Sequence, residues 1–595
     1  MTSINQFAKA RVSRRLLLGS AAAGLGAAAL GGISACSSGP GSSGTAGSPK
    51  IDPSKKVNLP APSTDVIYPD PYVGPKAYER KPFADGSKTF KVVVPQDATT
   101  TGDWNKNTFS SWLEQRTGVK VEYEAVNLTG PDGSQDLSKI NAMLSSGDLP
   151  DAFLNVGLTP SQVSLYGQQG LFQDLSGLID TYAPVARDMY AAFETIKPQV
   201  LAGDGKIYQY VGVNDCYHCR SAMSKAFINQ DYLDKIGATM PATTDDFRSV
   251  LKEFKARNPS GKNGFLPFLG GNPTWDGMDV WFVNPFTYNP GAPWFRLNGD
   301  QVEFVPRLDE WRQGMAYMRS LYDDGTLTKE SFSIQIDDMV KLGDQGLIGC
   351  CRGFNWAVFL TIDFAKDGLW WKYQPVMPLK GPSGSGITST NHYILLSSSL
   401  VVTNKCTNPE LLVQWADYQM DLEAIMHGYA GGGDKGKQWD WASQGQKGID
   451  GRQAVWKSVS GKANPDNGKT IVGRGWNQNS LMYRSLDFRD GQANDPKAPS
   501  MEGRLYDVAK QYEQFDQPIA QQLPPLLFND SDTATIGNLA TTIGNYVTQS
   551  MAKFATAQLD VNNDSVWQDY LNTLDKMGLK QYTEIYQKAY ENRPK

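Results

Sequence analysis

The chain has 595 residues, 40% of them hydrophobic and 20% charged, with a net charge of −5 at neutral pH. That length allows a large buried core and two or more domains. An acidic chain without a basic block is a poor partner for nucleic acid, and nothing after the N-terminal stretch is apolar enough for long enough to span a bilayer.

The chain opens on Ser13-Arg14-Arg15-Leu16-Leu17-Leu18, then an Ala/Gly/Leu run, then Ile33-Ser34-Ala35-Cys36. A positive start, an apolar middle and small residues before a cleavage point describe an export signal. The Arg pair is similar to a twin-arginine signal, and Ile-Ser-Ala-Cys resembles a lipobox, which implies lipidation of Cys36 and removal of residues 1–35. Those residues hold Lys9, Arg11, Arg14 and Arg15 and no acid, so the mature chain would carry −9. Residues 36–87, rich in Gly, Ser and Pro, are expected to be a tether.

With Cys36 lipidated, Cys216, Cys219, Cys350, Cys351 and Cys406 remain, an odd number. Cys216-Tyr217-His218-Cys219 spells CxxC. No second ligand pair has zinc-site spacing, and the motif lies deep in a large chain, unlike a thioredoxin-type redox site. A local disulfide or a pair of packed thiols is the reading retained.

From Phe90 the pattern changes. Lys91-Val92-Val93-Val94 reads as a buried strand ended by Pro95. Phe109, Trp112 and Leu113 give a helix stopped by Gly118. Val119, Val121 and Tyr123 alternate as a strand; Leu137, Ile140 and Leu144 mark a second helix, and Asp151 to Val156 a third strand. Alternation at this spacing predicts βαβ units and a parallel sheet, whose ligands gather at the strands' carboxyl ends. Trp104 and Asn107, in the loop after the first strand, are therefore ligand candidates.

Leu149-Pro-Asp-Ala-Phe153, Tyr166 to Leu175, Asp204-Gly-Lys-Ile-Tyr208, Phe227 to Gly237, Met240-Pro-Ala-Thr-Thr-Asp-Asp-Phe247, Gln374 to Pro382 and the terminal run Trp567 to Tyr590 follow one another in order. Together they resemble the large extracellular solute-binding proteins of ABC importers. The resemblance implies an α/β, two-lobed, periplasmic-binding-protein-like fold with discontinuous lobes and a ligand cleft between them. The expected division is 88–213 and 347–400 in one lobe, and 214–346 and 401–595, with the C-terminal helices, in the other. Several glycan-binding members carry a calcium loop after the "MP-x-T" helix. Here Arg257 to Phe265 contains no carboxylate, and calcium wants several oxygen ligands, so no metal site is carried over and no cofactor is expected.

Ala463 to Thr470 fits a loose P-loop pattern but lacks a buried strand before it. No HExxH or G-x-S-x-G occurs, and His218, His392 and His427 are the only histidines. The positive signal is aromatic. Trp275, Trp281, Asn355, Trp356, Trp439, Arg474 and Trp476 lie in Gly/Pro/Asn-rich stretches, where an indole can cover a sugar's C–H face while amides and Arg answer its hydroxyls. Asp215, Tyr217, His218 and Arg220, just after the first expected crossover, are polar candidates. The expected protein is a monomeric, non-enzymatic lipoprotein outside the cytoplasmic membrane. It captures an oligosaccharide and delivers it to the transmembrane subunits of an ABC permease, touching the membrane through its lipid alone. A receptor for a peptide or other non-sugar solute, and a secreted carbohydrate-active enzyme, are the alternatives.

Overall fold

The computed structural model describes residues 51–97, 101–129, 135–271, 277–363, 368–384, 386–430, 433–459, 472–497 and 500–593. Arg14, Arg15, Cys36, Trp275 and the 463–470 motif lie outside the described residues.

Two sheets organise the chain. The first has six strands in the order Tyr483–Arg484, Tyr210–Asn214, Leu395–Val402, Ala152–Leu154, Thr89–Pro95, Lys120–Val126. It is parallel throughout except for Leu395–Val402, which runs against both neighbours. The second has four strands, Tyr373–Val376, Lys225–Asn229, Ile348–Gly353 and Leu266–Leu269.

Both sheets are covered on both faces, which is why an inner strand such as Thr89–Pro95 reads as a continuous apolar run while the edge strand Lys120–Val126 alternates. Val92 and Val94 enter one core of the first sheet and Val93 the other. In the second sheet Ala226, Ile228 and Cys350 face one core, while Phe227 and Cys351 face the opposite one. The early elements fall where the apolar periodicity puts them, with helices Thr108–Thr117 and Ser138–Ser146. Gly118 ends the first of these at φ 73°. A Cβ there would lie 1.9 Å from the Ala84 carbonyl oxygen, so glycine is required twice over. The C-terminal stripes become helices Asp564–Lys576 and Leu579–Glu591, separated by Gly578 at φ 95°.

Three connections join the sheets: 215–224, 377–394 and the stretch between helices Leu486–Asp490 and Met501–Tyr512. This corrects the expected division. Strands Ile348–Gly353 and Tyr373–Val376 belong to the second sheet, not the first. Leu412, Trp415, Met420, Trp439, Trp456 and Phe488, expected in the second lobe, pack in the core of the first. The chain thus returns to the first lobe at Leu395 and leaves it after Asp490.

The tether also ends sooner than expected, because residues from 51 onward are docked. Val57 N–H donates to the Thr181 carbonyl (2.8 Å), and Val66 and Ala77 are buried in the first core. Arg80 reaches Asp417 (2.9 Å) with both side chains nearly sealed from solvent, its guanidinium 3.5 Å over the Tyr418 ring. A buried ion pair of this kind is costly to break, since removing one partner strands the other charge. Gly/Ser/Pro composition marks lack of periodicity, which an extended segment pinned on a core shares with a free linker.

Candidate ligand site between the lobes

In the loop after the first strand, Thr101, Trp104 and Asn107 are buried. Trp104 Nε1–H donates to the Pro95 carbonyl (3.1 Å), and the ring is 2% exposed. Trp476 is fully buried against it, centroids 4.9 Å apart, and donates Nε1–H to Ser110 Oγ (2.9 Å). Asn107 caps helix Thr108–Thr117 by accepting from Phe109 N–H (3.0 Å), and its amide donates to the carbonyls of Thr101 (2.8 Å) and Gly475 (2.9 Å). Arg474 is half-buried, and its carbonyl accepts from Thr108 Oγ1 (3.0 Å).

Two other indoles behave alike. Trp439 Nε1–H donates to the Gly433 carbonyl (2.8 Å) and Trp356 Nε1–H to that of Tyr373 (3.0 Å), both rings fully buried. Trp281 sits in the second core. Asn355 spends its side-chain oxygen on Ala357 N–H (2.8 Å) as a helix cap. Trp104, Asn107, Trp281, Asn355, Trp356, Trp439 and Trp476 are therefore corrected from ligand plates to packing and capping groups. Their rings are packed within the protein, which also takes the N–H groups of Trp104, Trp356, Trp439 and Trp476, the Asn107 amide and Asn355 Oδ1; Trp281 Nε1–H is buried with no partner among the described residues.

Asp215, Tyr217, His218 and Arg220 lie together on the first connection. Arg220 pairs with Asp215 (3.0 Å), whose carboxyl is pushed up by burial. Tyr217 packs on Tyr506 of helix Met501–Tyr512. His218 Nε2 meets Glu502 (2.8 Å), which also takes Arg489 (2.5 Å) from the first lobe; burial lowers the His218 pKa. Cys216 and Cys219 form a disulfide, so the local Cys216, His218, Cys219 group presents no thiolate to a metal. The cluster ties the lobes together at the hinge, and none of the four residues lines the cavity described next.

That cavity, about 530 Å3, is walled by both lobes and by the connections. The first lobe gives Pro160, six residues past the end of strand Ala152–Leu154, together with Gln199 and Leu396. It thus opens at the carboxyl end of the parallel strands, as such sheets dictate. The second lobe gives Tyr288, the Pro290–Pro293 turn, Phe295 and Tyr586; Met223, Ser389 to Asn391, Tyr393, Ile394 and Gln522 to Leu526 complete the wall with Phe528. Phe295 and Tyr586 stack, centroids 4.2 Å apart at 29°, with Phe528 5.0 Å from Tyr586. Gln522 accepts from His392 N–H (2.8 Å) and donates to Asn391 Oδ1 (2.7 Å). Ser389 Oγ is held between Asn284 Nδ2 (2.9 Å) and the Asn289 carbonyl (2.7 Å). A more open groove of about 840 Å3 lies wholly within the second lobe, between Val302–Leu308 and Asp575–Glu584, where no lobe can close on it.

Sequence reading missed this wall. Tyr586 was legible only as part of a helical stripe. The two proline-rich turns, Asn289-Pro290-Gly-Ala-Pro293 and Gln522-Leu-Pro-Pro525, were the available signal, because such aperiodic turns between elements carry sites.

The calcium question is answered by a lysine. In the loop after helix Thr244–Arg257, Lys262 Nζ donates to the Gln345 carbonyl (2.6 Å), and Asn258 donates to the Lys262 carbonyl (2.9 Å). Lys235 Nζ takes the Pro259 carbonyl (2.8 Å). Two ammonium groups and no carboxylate do not fit a hard divalent cation.

Residues 81–421 match the bacterial extracellular solute-binding protein family. The chain belongs to that family. It is 24% identical over 520 residues, 85% of this chain and 90% of the relative, to the fructooligosaccharide ABC transporter substrate-binding protein FusA of Streptococcus pneumoniae. It is 25% identical to lipoprotein LipO of Bacillus subtilis over 60% of this chain and 69% of that one. The structure of FusA in complex with kestose superposes with a TM-score of 0.70 over 85% of this chain and 99% of FusA, at 22% identity. An HMO-binding solute-binding protein from Bifidobacterium longum infantis superposes at 0.67 over 86% and 99%, at 19% identity. These likenesses establish the two-lobed fold.

Proposed function

We propose that this solute-binding protein is the oligosaccharide receptor of an ABC importer, anchored outside the cytoplasmic membrane by lipid on Cys36 after export through a twin-arginine signal. The observation that carries the reading is the interlobe cavity, whose wall holds a stacked aromatic pair together with amides and hydroxyls. Aromatic faces cover the C–H faces of a sugar, and amides answer its hydroxyls. The names of FusA and of the Bifidobacterium protein, which describe oligosaccharide binding, support it. Closure of the lobes would remove water from the polar contacts and present the permease with a loaded shape. The role needs binding alone, with no covalent step.

Thermal unfolding of residues 37–595 against oligosaccharides, peptides and polyols tests this. A ligand at 100 times its dissociation constant adds about 2.7 kcal/mol. A shift with oligosaccharides is expected. A shift with peptides alone would overturn the sugar assignment.

A further inference from the structure

The described wall of the interlobe cavity contains amides, hydroxyls, prolines, aliphatic groups and aromatic rings, and no Asp, Glu, Lys, Arg or His. That composition is unusual in a chain whose residues are one-fifth charged. Ionic groups exist close behind the wall, but they are committed. Asp516 accepts from Thr390 Oγ1 (2.6 Å), and Arg220 is held by Asp215.

We infer that the cavity selects an uncharged oligosaccharide and discriminates against glycans that carry carboxylates. The inference rests on the sugar reading above and sharpens it. When two lobes close on a ligand, each ionised group buried without a counter-ion costs far more than a buried hydroxyl that finds an amide. Among the described residues, the wall offers an incoming carboxylate no guanidinium, ammonium or imidazolium. It offers a neutral hydroxyl the Gln199, Asn391 and Gln522 amides and the Tyr393 hydroxyl, whereas Ser389 and Thr390 Oγ are already bonded within the protein. Burial already pushes the Asp516 carboxyl above its ordinary range, so this region penalises one negative charge before a second arrives. The rings add to the same preference. Tyr586, half-buried at the wall with the buried Phe295 stacked on it, presents aromatic surface that attracts C–H edges and repels anions.

The test compares neutral tri- and tetrasaccharides with counterparts carrying a uronic acid at one end, by titration calorimetry on residues 37–595. The neutral sugar is expected to bind and the uronate to bind about tenfold more weakly or worse. Gln199→Lys then places a cation on the wall at a half-buried position whose side chain bonds only within its own helix turn. It should narrow or reverse that ratio. Equal or tighter binding of the uronate by the unaltered protein would overturn the inference while leaving the oligosaccharide reading intact. A neutral preference that Gln199→Lys leaves untouched would show that charge on this wall does not set the choice, and would overturn it as well. Binding of peptides with no binding of either sugar would remove the reading beneath it.

Discussion

Two regions of this molecule bring aromatic rings together with amides, and they do opposite things with them. Around Trp476, four aromatic neighbours (Trp104, Phe109, Tyr123 and Trp415) close on the indole, and each polar atom is answered by the chain itself. Around Tyr586, the stacked rings and the Asn391–Gln522 pair edge an open volume. The ingredients are alike. What separates a core from a site is whether the surrounding backbone uses up the ring faces and hydrogen-bonding groups. The largest expected effect follows from the sealed side. Trp476→Ala removes a fully buried indole and its bond to Ser110, and should cost about 3–5 kcal/mol. Urea denaturation would read the loss, with the ligand affinity of the remaining folded fraction unchanged. A variant of near-normal stability that had lost its ligand would reverse the comparison and put Trp476 back at the site.

The same contrast explains what the sequence could and could not reveal. Strand and helix positions in the first lobe were legible because Val92 to Val94 and the Phe109/Trp112/Leu113 spacing report burial directly, through periodicity. The order of motifs gave the family, and the family the two-lobed fold. Lobe membership beyond residue 347 was not legible. A strand such as Ile348–Gly353 is equally apolar in either sheet, and only pairing with Lys225–Asn229 decides between them. The site residues were misplaced for a related reason. A Trp among Gly and Asn looks the same whether its N–H meets a carbonyl of its own chain or a sugar hydroxyl. The true wall is assembled from positions as far apart as Pro160 and Tyr586, and no local pattern records that meeting.

Acid should also act on the sealed side first. His427 is sandwiched against Trp112 at 4.3 Å, with Trp439 edge-on at 5.4 Å. Burial, aided by the positive charge of Arg116, lowers its pKa to about 4, with Asp434 and Asp421 opposing. A histidine with a lowered folded pKa contributes stability that is complete above the unfolded value near 6.5. That contribution is lost as pH falls from there through about 4. The linkage relation allows up to about 3 kcal/mol over that window. His218, lowered by burial at the hinge, acts in the same direction. Comparing His427→Gln with the unaltered protein by urea midpoints at neutral and acid pH cancels the shared carboxylate titrations. The variant should lose less stability between the two. Identical acid dependence would mean that the imidazole takes up its proton alike in the folded and unfolded protein, and that the Trp112–Trp439 slot is open to water.

The smallest effect concerns a charge supplied from inside rather than from solution. Where glycan-binding members of the family carry a calcium loop, this chain brings Lys262 Nζ to the Gln345 carbonyl, at the end of helix Ile336–Asp344. A cation at a helix C-terminus is favourable whether it is a metal or an ammonium. The lysine comes tethered, so it is not lost to a chelator. Added calcium or EDTA should therefore leave the thermal midpoint where it is. Lys262→Met should lower stability by about 0.5–1 kcal/mol, because the bond is exposed and water replaces it in part. Stabilisation by calcium in the unaltered protein would show that the loop takes a metal despite its two lysines. A midpoint indifferent to both calcium and the Lys262→Met change would show that the loop does not need the Lys262 ammonium. The sealed case would then extend one step further, to a turn held by Asn258, Ser260, its glycines and the Lys235 bond to Pro259.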